Sequence, residues 1–225
     1  MKAMIRISML PFRWRPAHFL RDRRGIAATE FAMIAPFMLV AFFGTVEFCS
    51  AVAIDRKVTL IARTLSDLTS QQTPPSITVN WATIADSDLQ NIFTASISIM
   101  ASYDATPTQA SITEVYVDKN GKATVQWSKS AVIAAGATQA TLTASTTPLT
   151  PGNDVSNIVA SEILVPQTYV IFSQVSYKYV PTIGYVLKTG VNMKDNSYTR
   201  PRQSACIVYN NVPNVSTNGG NCPQS

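Results

Sequence analysis

Histidine is all but missing from this sequence: of 225 residues only His18 carries an imidazole, and it lies in the first basic stretch. From residue 26 onward the chain lacks the commonest general base and the commonest metal ligand. It also has no HExxH, no CxxC and no glycine-rich phosphate loop, which removes the familiar zinc, redox and nucleotide patterns. No compact carboxylate pair stands out. Asp86 and Asp88, two apart beside Ser87, read as a helix start rather than a site. Catalysis, a metal and a cofactor are therefore not expected.

Acidic residues are scarce at the front of the chain. Seven of the 18 basic residues fall within the first 25 positions, where Asp22 is the single acid. Beyond them 11 basic residues meet 12 acidic ones, so the formal charge of +5 belongs to the leader alone. No later basic cluster exceeds two adjacent residues, and nucleic acid is not an expected partner.

Charge is missing altogether from Phe31 to Val46, "FAMIAPFMLVAFFGTV". These 16 residues would rise about 24 Å as a helix, slightly short of a bilayer core. Adding Ala27–Thr29 and the stretch after Glu47, "FCSAVAI", completes the span. Pro36 and Gly44 inside it are types that membrane helices tolerate well. The preceding arginines predict a cytoplasmic N-terminus and an exported C-terminal part. Glu47, at the far end of the span, is expected to be solvated.

Two rival readings exist for this segment. One is a secretory signal peptide cut after Ala51-Val52-Ala53, and the other is a lipoprotein cut before Cys49. Against the first, Glu30 and Glu47 bracket the apolar run and the helical pattern continues past the candidate cut. Against the second, Glu47-Phe48 stands where small residues are preferred. Ile54, Val58, Ile61, Leu65 and Leu68 recur at spacings of 4, 3, 4 and 3, an apolar stripe on one helix face. The sequence predicts one helix that leaves the membrane and runs on as an amphipathic segment until Pro74-Pro75 stops it.

The residues "RRGIAATEFAMIAPFMLVAFFGTVEF" carry a family resemblance. A glycine, a glutamate five residues on and a following aromatic resemble a prepilin-peptidase site, with Gly25 before the cut, Ile26 after it, and Glu30 and Phe31 as the fifth and sixth residues. More narrowly, the stretch resembles the TadE and TadE-like pseudopilins of the Flp (tight adherence) pilus system, through Pro36 in the apolar run, then Gly44 and Glu47-Phe48. Weaker likeness continues in "GKATVQWS" (121–128), "VSYKYVPTIGY" (175–185) and "RPR" (200–202). The resemblance implies a pilin-like fold and a minor pilin-like role in assembling a Flp pilus and secretion apparatus. It further implies prepilin peptidase, other pilin-like subunits and inner-membrane platform proteins as partners, with an inner-membrane location and a periplasmic C-terminal domain. A signal-anchored or secreted periplasmic binding module unrelated to pili is the alternative.

The motif also has a physical logic of its own. A glutamate in hydrocarbon costs several kcal/mol unless paired. A cut after Gly25 would free an ammonium on Ile26, one helical turn from Glu30, and such an amine, its own or a neighbour's, would be a fitting partner in low dielectric. The plain alternative places Glu30 at headgroup depth, solvated, with Gly25 as a simple helix breaker.

The expected organisation is a basic cytoplasmic leader (1–25), a membrane helix continuing as an amphipathic helix (26–70) and an exported domain (71–225) with a flexible tail. That domain reads as α+β. Ser87 is the expected cap of a helix presenting Leu89, Ile92, Phe93, Ile97 and Met100 on one face. "ITEVYV" and "ATVQWS" flank Asn120-Gly121, a hairpin signal in which both turn positions take φ > 0. Residues 130–157, rich in Ala, Thr, Ser and Gly, read as a poorly ordered or loop-rich excursion. "TYVIFSQVSYKYV" (168–180) is the longest strand candidate; Tyr177, Tyr179 and Tyr185 read as half-buried sheet residues rather than a recognition surface, and a last strand is expected through "ACIVY". The sum is an antiparallel sheet of about four strands packed on the amphipathic half of the first helix. Cys206 and Cys222 fall on the exported side, where oxidation is permitted; a bridge across their 16 positions would contribute about 3 kcal/mol in the loop-entropy model. Cys49 is left over as a small packing residue.

Overall fold

The computed structural model describes residues 25–181, 190–210 and 222. The basic leader with His18, then Tyr185, and most of the C-terminal tail lie outside the described residues. One 45-residue helix, α1 (Ile26–Ser70), opens the chain. It is followed by β1 (Trp81–Ile84), α2 (Asp86–Ile97), β2 (Thr108–Val117), β3 (Ala123–Val132), β4 (Thr141–Ala144), β5 (Thr168–Tyr179), β6 (Val191–Thr199) and β7 (Cys206–Tyr209). The chain forms two compact units that meet between Val46 and Glu47. Fold class is α+β.

In the first unit α1 exposes its large apolar side chains to the outside: Phe31, Phe37 and Val40 are among those left uncovered. Its hydroxyls are satisfied within the helix, Thr29 donating to the Ile26 carbonyl and Thr45 to that of Ala41, each at 2.8 Å. A helix with an apolar surface and internally bonded polar groups suits a medium that offers no hydrogen bonds. By length and composition this helix can cross a membrane.

In the second unit the periodicity of α1 decides what is buried. Ile54, Val58, Ile61, Ala62 and Leu65 are all at most 2% exposed, with Leu68 packed at the margin of the same core. They lie on a five-stranded antiparallel sheet of order β4-β3-β2-β5-β6, one strand more than expected. Ile112 of β2 and Ile171 and Val175 of β5 supply the opposing surface, and Leu89, Phe93 and Ile97 of α2 close the same core. The register of β5 against α1 is pinned by polar contacts. Ser173 donates to the Ala62 carbonyl at 2.7 Å, and Thr199, opposite Ile171, donates to the Ser66 carbonyl at 3.0 Å.

Several local expectations need correction. The β2–β3 hairpin forms, but among the described residues only Gly121 of the turn has positive φ, at 82°. Asp118 receives the Gly121 N–H on its carbonyl, and its carboxylate accepts the N–H groups of Asn120 and Lys122. This is a type I turn closed by a left-handed glycine, so Asn120 stays in an ordinary conformation. Helix α2 is capped at Ala85 rather than Ser87, the Asp88 carboxylate reaching back to the Ala85 N–H at 3.0 Å. Strand β7 forms where "ACIVY" was expected, but it pairs in parallel with β1 in a separate two-stranded sheet, Trp81 opposite Cys206 and Ile84 opposite Tyr209. The 130–157 stretch is not a loose excursion. It holds the end of β3 and all of β4, then a turn-rich segment bonded to β3 through Val125, Gly152 and Val155. Leu149, Val155 and Val159 from that segment cover the sheet face opposite α1, against Val115, Val125 and Phe172.

Candidate functional site

The residues singled out at the start of α1 share one setting. Gly25, Ile26, Glu30 and Phe31 are all exposed, and so are Pro36, Gly44 and Phe48. A Cβ added to Gly25 or Gly44 would meet nothing within 4 Å, so neither glycine is demanded by packing among the described residues. Glu30 lies one helical turn beyond Ile26, and no described residue forms an ion pair with it.

Glu47 behaves differently from the solvated residue expected of it. It is half-buried, and its carboxylate accepts a 2.5 Å hydrogen bond from the Tyr179 hydroxyl at the end of β5. Burial, then the adjacent Glu47 carboxylate, push the Tyr179 phenol up to about 12, because both disfavour a second negative charge there. Nearby, the Tyr177 hydroxyl donates to the Asp104 carbonyl at 3.0 Å. Lys57 donates to the Ile99 carbonyl at 2.7 Å and stands 5.1 Å from the Tyr103 ring centroid. Tyr177 and Tyr179 are thus packed sheet residues with their polar tips satisfied.

The opposite end of the helix segment is tied down by charge. Arg202 pairs with Asp67, and its backbone N–H donates to the Ser70 carbonyl at 2.9 Å. Pro201 sits in the connection between β6 and β7, where a missing N–H costs nothing. Cys206 and Cys222 form a disulfide, Cα atoms 6.1 Å apart, against Tyr116, Tyr169 and Trp81. Cys49 is exposed on α1 and is the free cysteine.

One polar feature escaped the sequence reading. Glu114 of β2 is fully buried between the two sheets. Its carboxylate accepts the Ile207 N–H at 2.7 Å and the Trp127 indole N–H at 3.0 Å. The same indole reaches the Ile207 carbonyl at 2.8 Å. Glu114 therefore clips β7 onto the large sheet, and only its alternation with Ile112 and Tyr116 marks it in the sequence. Asp86, in turn, takes the Tyr209 hydroxyl at 2.6 Å and pairs with Lys129. These carboxylates hold structure.

The described residues offer little for chemistry. No group of three or more metal-ligating side chains comes together among them. A shallow groove on the sheet face opposite α1 is lined by Ser111, Ser130, Thr143, Gln174 and Asn196, with Lys194 as its charged group. The prominent feature is instead the uncovered apolar helix surface and its boundary at Glu47.

That helix is also where a family match falls. Residues 25–64 match the family model described as TadE-like protein, beginning at Gly25 and ending in the buried stripe. The N-terminal helix is TadE-like. No curated protein and no solved structure matches the chain. The match is to TadE-like proteins and stops at residue 64, short of the sheet. The apolar half of α1 fits a membrane anchor in such a protein.

Proposed function

We propose that this TadE-like chain is a minor pilin-like (pseudopilin) component that helps assemble a Tad pilus and secretion apparatus through helix–helix and protein–protein contacts. Its apolar half-helix, Ile26–Val46, docks laterally with other pilin-like helices in the inner membrane, while the α+β domain is held on the periplasmic side. Prepilin peptidase cuts after Gly25, the Ile26 ammonium pairs with Glu30 of its own or a neighbouring subunit, and the basic leader stays cytoplasmic. The single observation that carries this reading is the exposed apolar run headed by Gly25-Ile26 and Glu30-Phe31, continuous with a helix half that forms the core of the domain. An anchor whose outer half is itself core cannot be exchanged for a loose tether without unfolding the domain.

N-terminal sequencing and intact mass of protein purified from membranes test it. A start at Ile26 supports a processed pseudopilin. A start at Ile54 would overturn the reading in favour of a secreted domain, and a start at Met1 would replace the processed subunit by a fixed anchor. Glu30→Ala is expected to lower co-purification with other pilin-like subunits while leaving the domain folded. Unchanged co-purification would remove the Glu30 pairing.

A further inference from the structure

The register of the large sheet lines up one polar side chain from each of its five strands. Thr143 of β4 stands opposite Ser130 of β3, and Ser130 opposite Ser111 of β2. Ser111 in turn stands opposite Gln174 of β5, and Gln174 opposite Asn196 of β6. The five form a single row across the strands, about 19 Å long at about 4.8 Å per strand spacing. Every member is uncharged and can both donate and accept hydrogen bonds. The adjacent row adds Gln109, Ser176 and, at the β6 end, Lys194.

This row is the floor of a groove of about 520 Å³, to which Ser145, Thr146 and Leu149 add a wall. The volume is typical of ligand sites. Hydroxyls tie wall to floor: Ser128 donates to Ser145 at 2.7 Å, and Ser145 and Ser130 bond at 3.0 Å. Ser128 is itself bonded to buried Thr113 at 2.6 Å. The rim is thus set before a ligand arrives, which spares part of the ordering cost of binding. Gln109, Ser111 and Gln174 make no side-chain hydrogen bond to another described residue, so their donors and acceptors are left to the groove.

The lining chooses among ligand classes. Among the described residues that form it there is no carboxylate, which disfavours a metal ion or a cationic peptide. Lys194 alone is too little positive charge for a polyanion. The row has no apolar side chain to hold an acyl chain or an aromatic anchor. Groups that both donate and accept, evenly spaced along a line, match a polyhydroxylated chain. The strand spacing is also close to the repeat of one sugar in an extended β-1,4-linked glycan.

We propose that this groove binds an extended, uncharged β-1,4-linked glycan lying across the strands, one sugar to each of the five. The row belongs entirely to the α+β domain, so the site stands whether or not the chain is cut at Gly25.

Isothermal titration calorimetry of the full chain in nanodiscs tests it, with empty nanodiscs as the blank and no glycoside detergent present. The probes are chitobiose, chitopentaose and chitohexaose, with inorganic tripolyphosphate as an anion. Chitopentaose is expected to bind saturably and several-fold more tightly than chitobiose. Chitohexaose should bind no more tightly than chitopentaose, because a sixth sugar finds no strand. Gln174→Ala on β5 and Thr143→Ala on β4 are each expected to weaken chitopentaose binding about three- to tenfold, as for one lost hydrogen bond. Near-ultraviolet circular dichroism should stay unchanged in both, and Asn120→Ala, in the β2–β3 turn, should leave binding as it was. Absence of chitopentaose binding overturns the proposal. Equal affinity for chitobiose and chitopentaose marks a single pocket rather than a row and also overturns it. Tripolyphosphate binding tighter than chitopentaose, and lost in Lys194→Ala, makes the groove an anion site and overturns it as well.

Discussion

The Tyr179 hydroxyl donates a 2.5 Å hydrogen bond to the Glu47 carboxylate, joining the end of β5 to the first residue of the domain's half of α1. The phenol is held up to about 12 from an ordinary value of 10.0. A folded-state pKa above the unfolded one means that the folded protein keeps its proton where the unfolded chain has lost it. This contribution to stability is complete below about pH 10 and is lost as the pH rises toward 12. Tyrosinate absorbance should therefore show a late-titrating phenol that disappears in Tyr179→Phe. The same variant is expected to lose about 1.5–3 kcal/mol at neutral pH, as for a hydrogen bond to a charged group. An unchanged titration curve in Tyr179→Phe would assign the late phenol to another tyrosine.

The two halves of α1 should answer mutation differently. Ile61 is fully buried in the domain core, so Ile61→Ala is expected to destabilise the domain by about 2–5 kcal/mol through lost burial and a residual cavity. Phe37 is 77% exposed, and Phe37→Ala should leave domain stability within about 0.5 kcal/mol. Chemical denaturation of the detergent-solubilised chain, followed by near-ultraviolet circular dichroism, separates the two. Equal losses would mean that the halves do not divide at Glu47.

How far the fold was legible depended on whether local pattern or a distant partner decided each element. The stripe Ile54, Val58, Ile61 and Leu65 could be read because helical period and burial coincide. Strands β2, β3 and β5 could be read for the same reason, being rich in β-branched and aromatic residues around a glycine turn. Strand β6, "VNMKDNSYT", carries Lys194, Asp195 and two asparagines, the composition of a protected edge, and only its pairing with β5 makes it a strand. Strand β1 has four residues and a parallel partner more than a hundred positions away. Leu149, Val155 and Val159 are scattered among prolines and glycines, so their role as a cover for the sheet needs the tertiary fold. At the candidate site, Glu30 and its neighbours were visible as a motif, while the partner of Glu47 was hidden because Tyr179 lies 132 positions away.

Glu114 offers a sharper test of how the two sheets are joined. Glu114→Ala deletes the acceptor of the Ile207 N–H and one acceptor of the Trp127 indole in a fully buried setting. An orphaned buried donor costs about 1–3 kcal/mol, more when the lost partner is a charged group. The expected loss is about 3 kcal/mol, with Trp127 fluorescence shifting to the red as water reaches β7. Loss of stability without that shift would place the damage in β2 rather than at the junction of the sheets.

The disulfide closes the C-terminal tail onto strand β7, whose residues Cys206 and Val208 pack against Tyr116 and Tyr169. Strand β7 is held from three directions: by β1 in parallel pairing, by the Glu114 carboxylate at Ile207, and by this bridge. Because two of these survive reduction, reduced protein should keep its fold. Its midpoint in urea should nevertheless fall, in line with about 3 kcal/mol for a closed loop of this length. Thiol titration of denatured, unreduced protein should find one reactive cysteine, Cys49, and all three only after reduction. Cys222→Ser should reproduce the stability of the reduced wild-type chain, and reduction should then change it no further. If the variant were instead as stable as the oxidised protein, the bridge would contribute nothing, and β7 would be held by Glu114 and β1 alone.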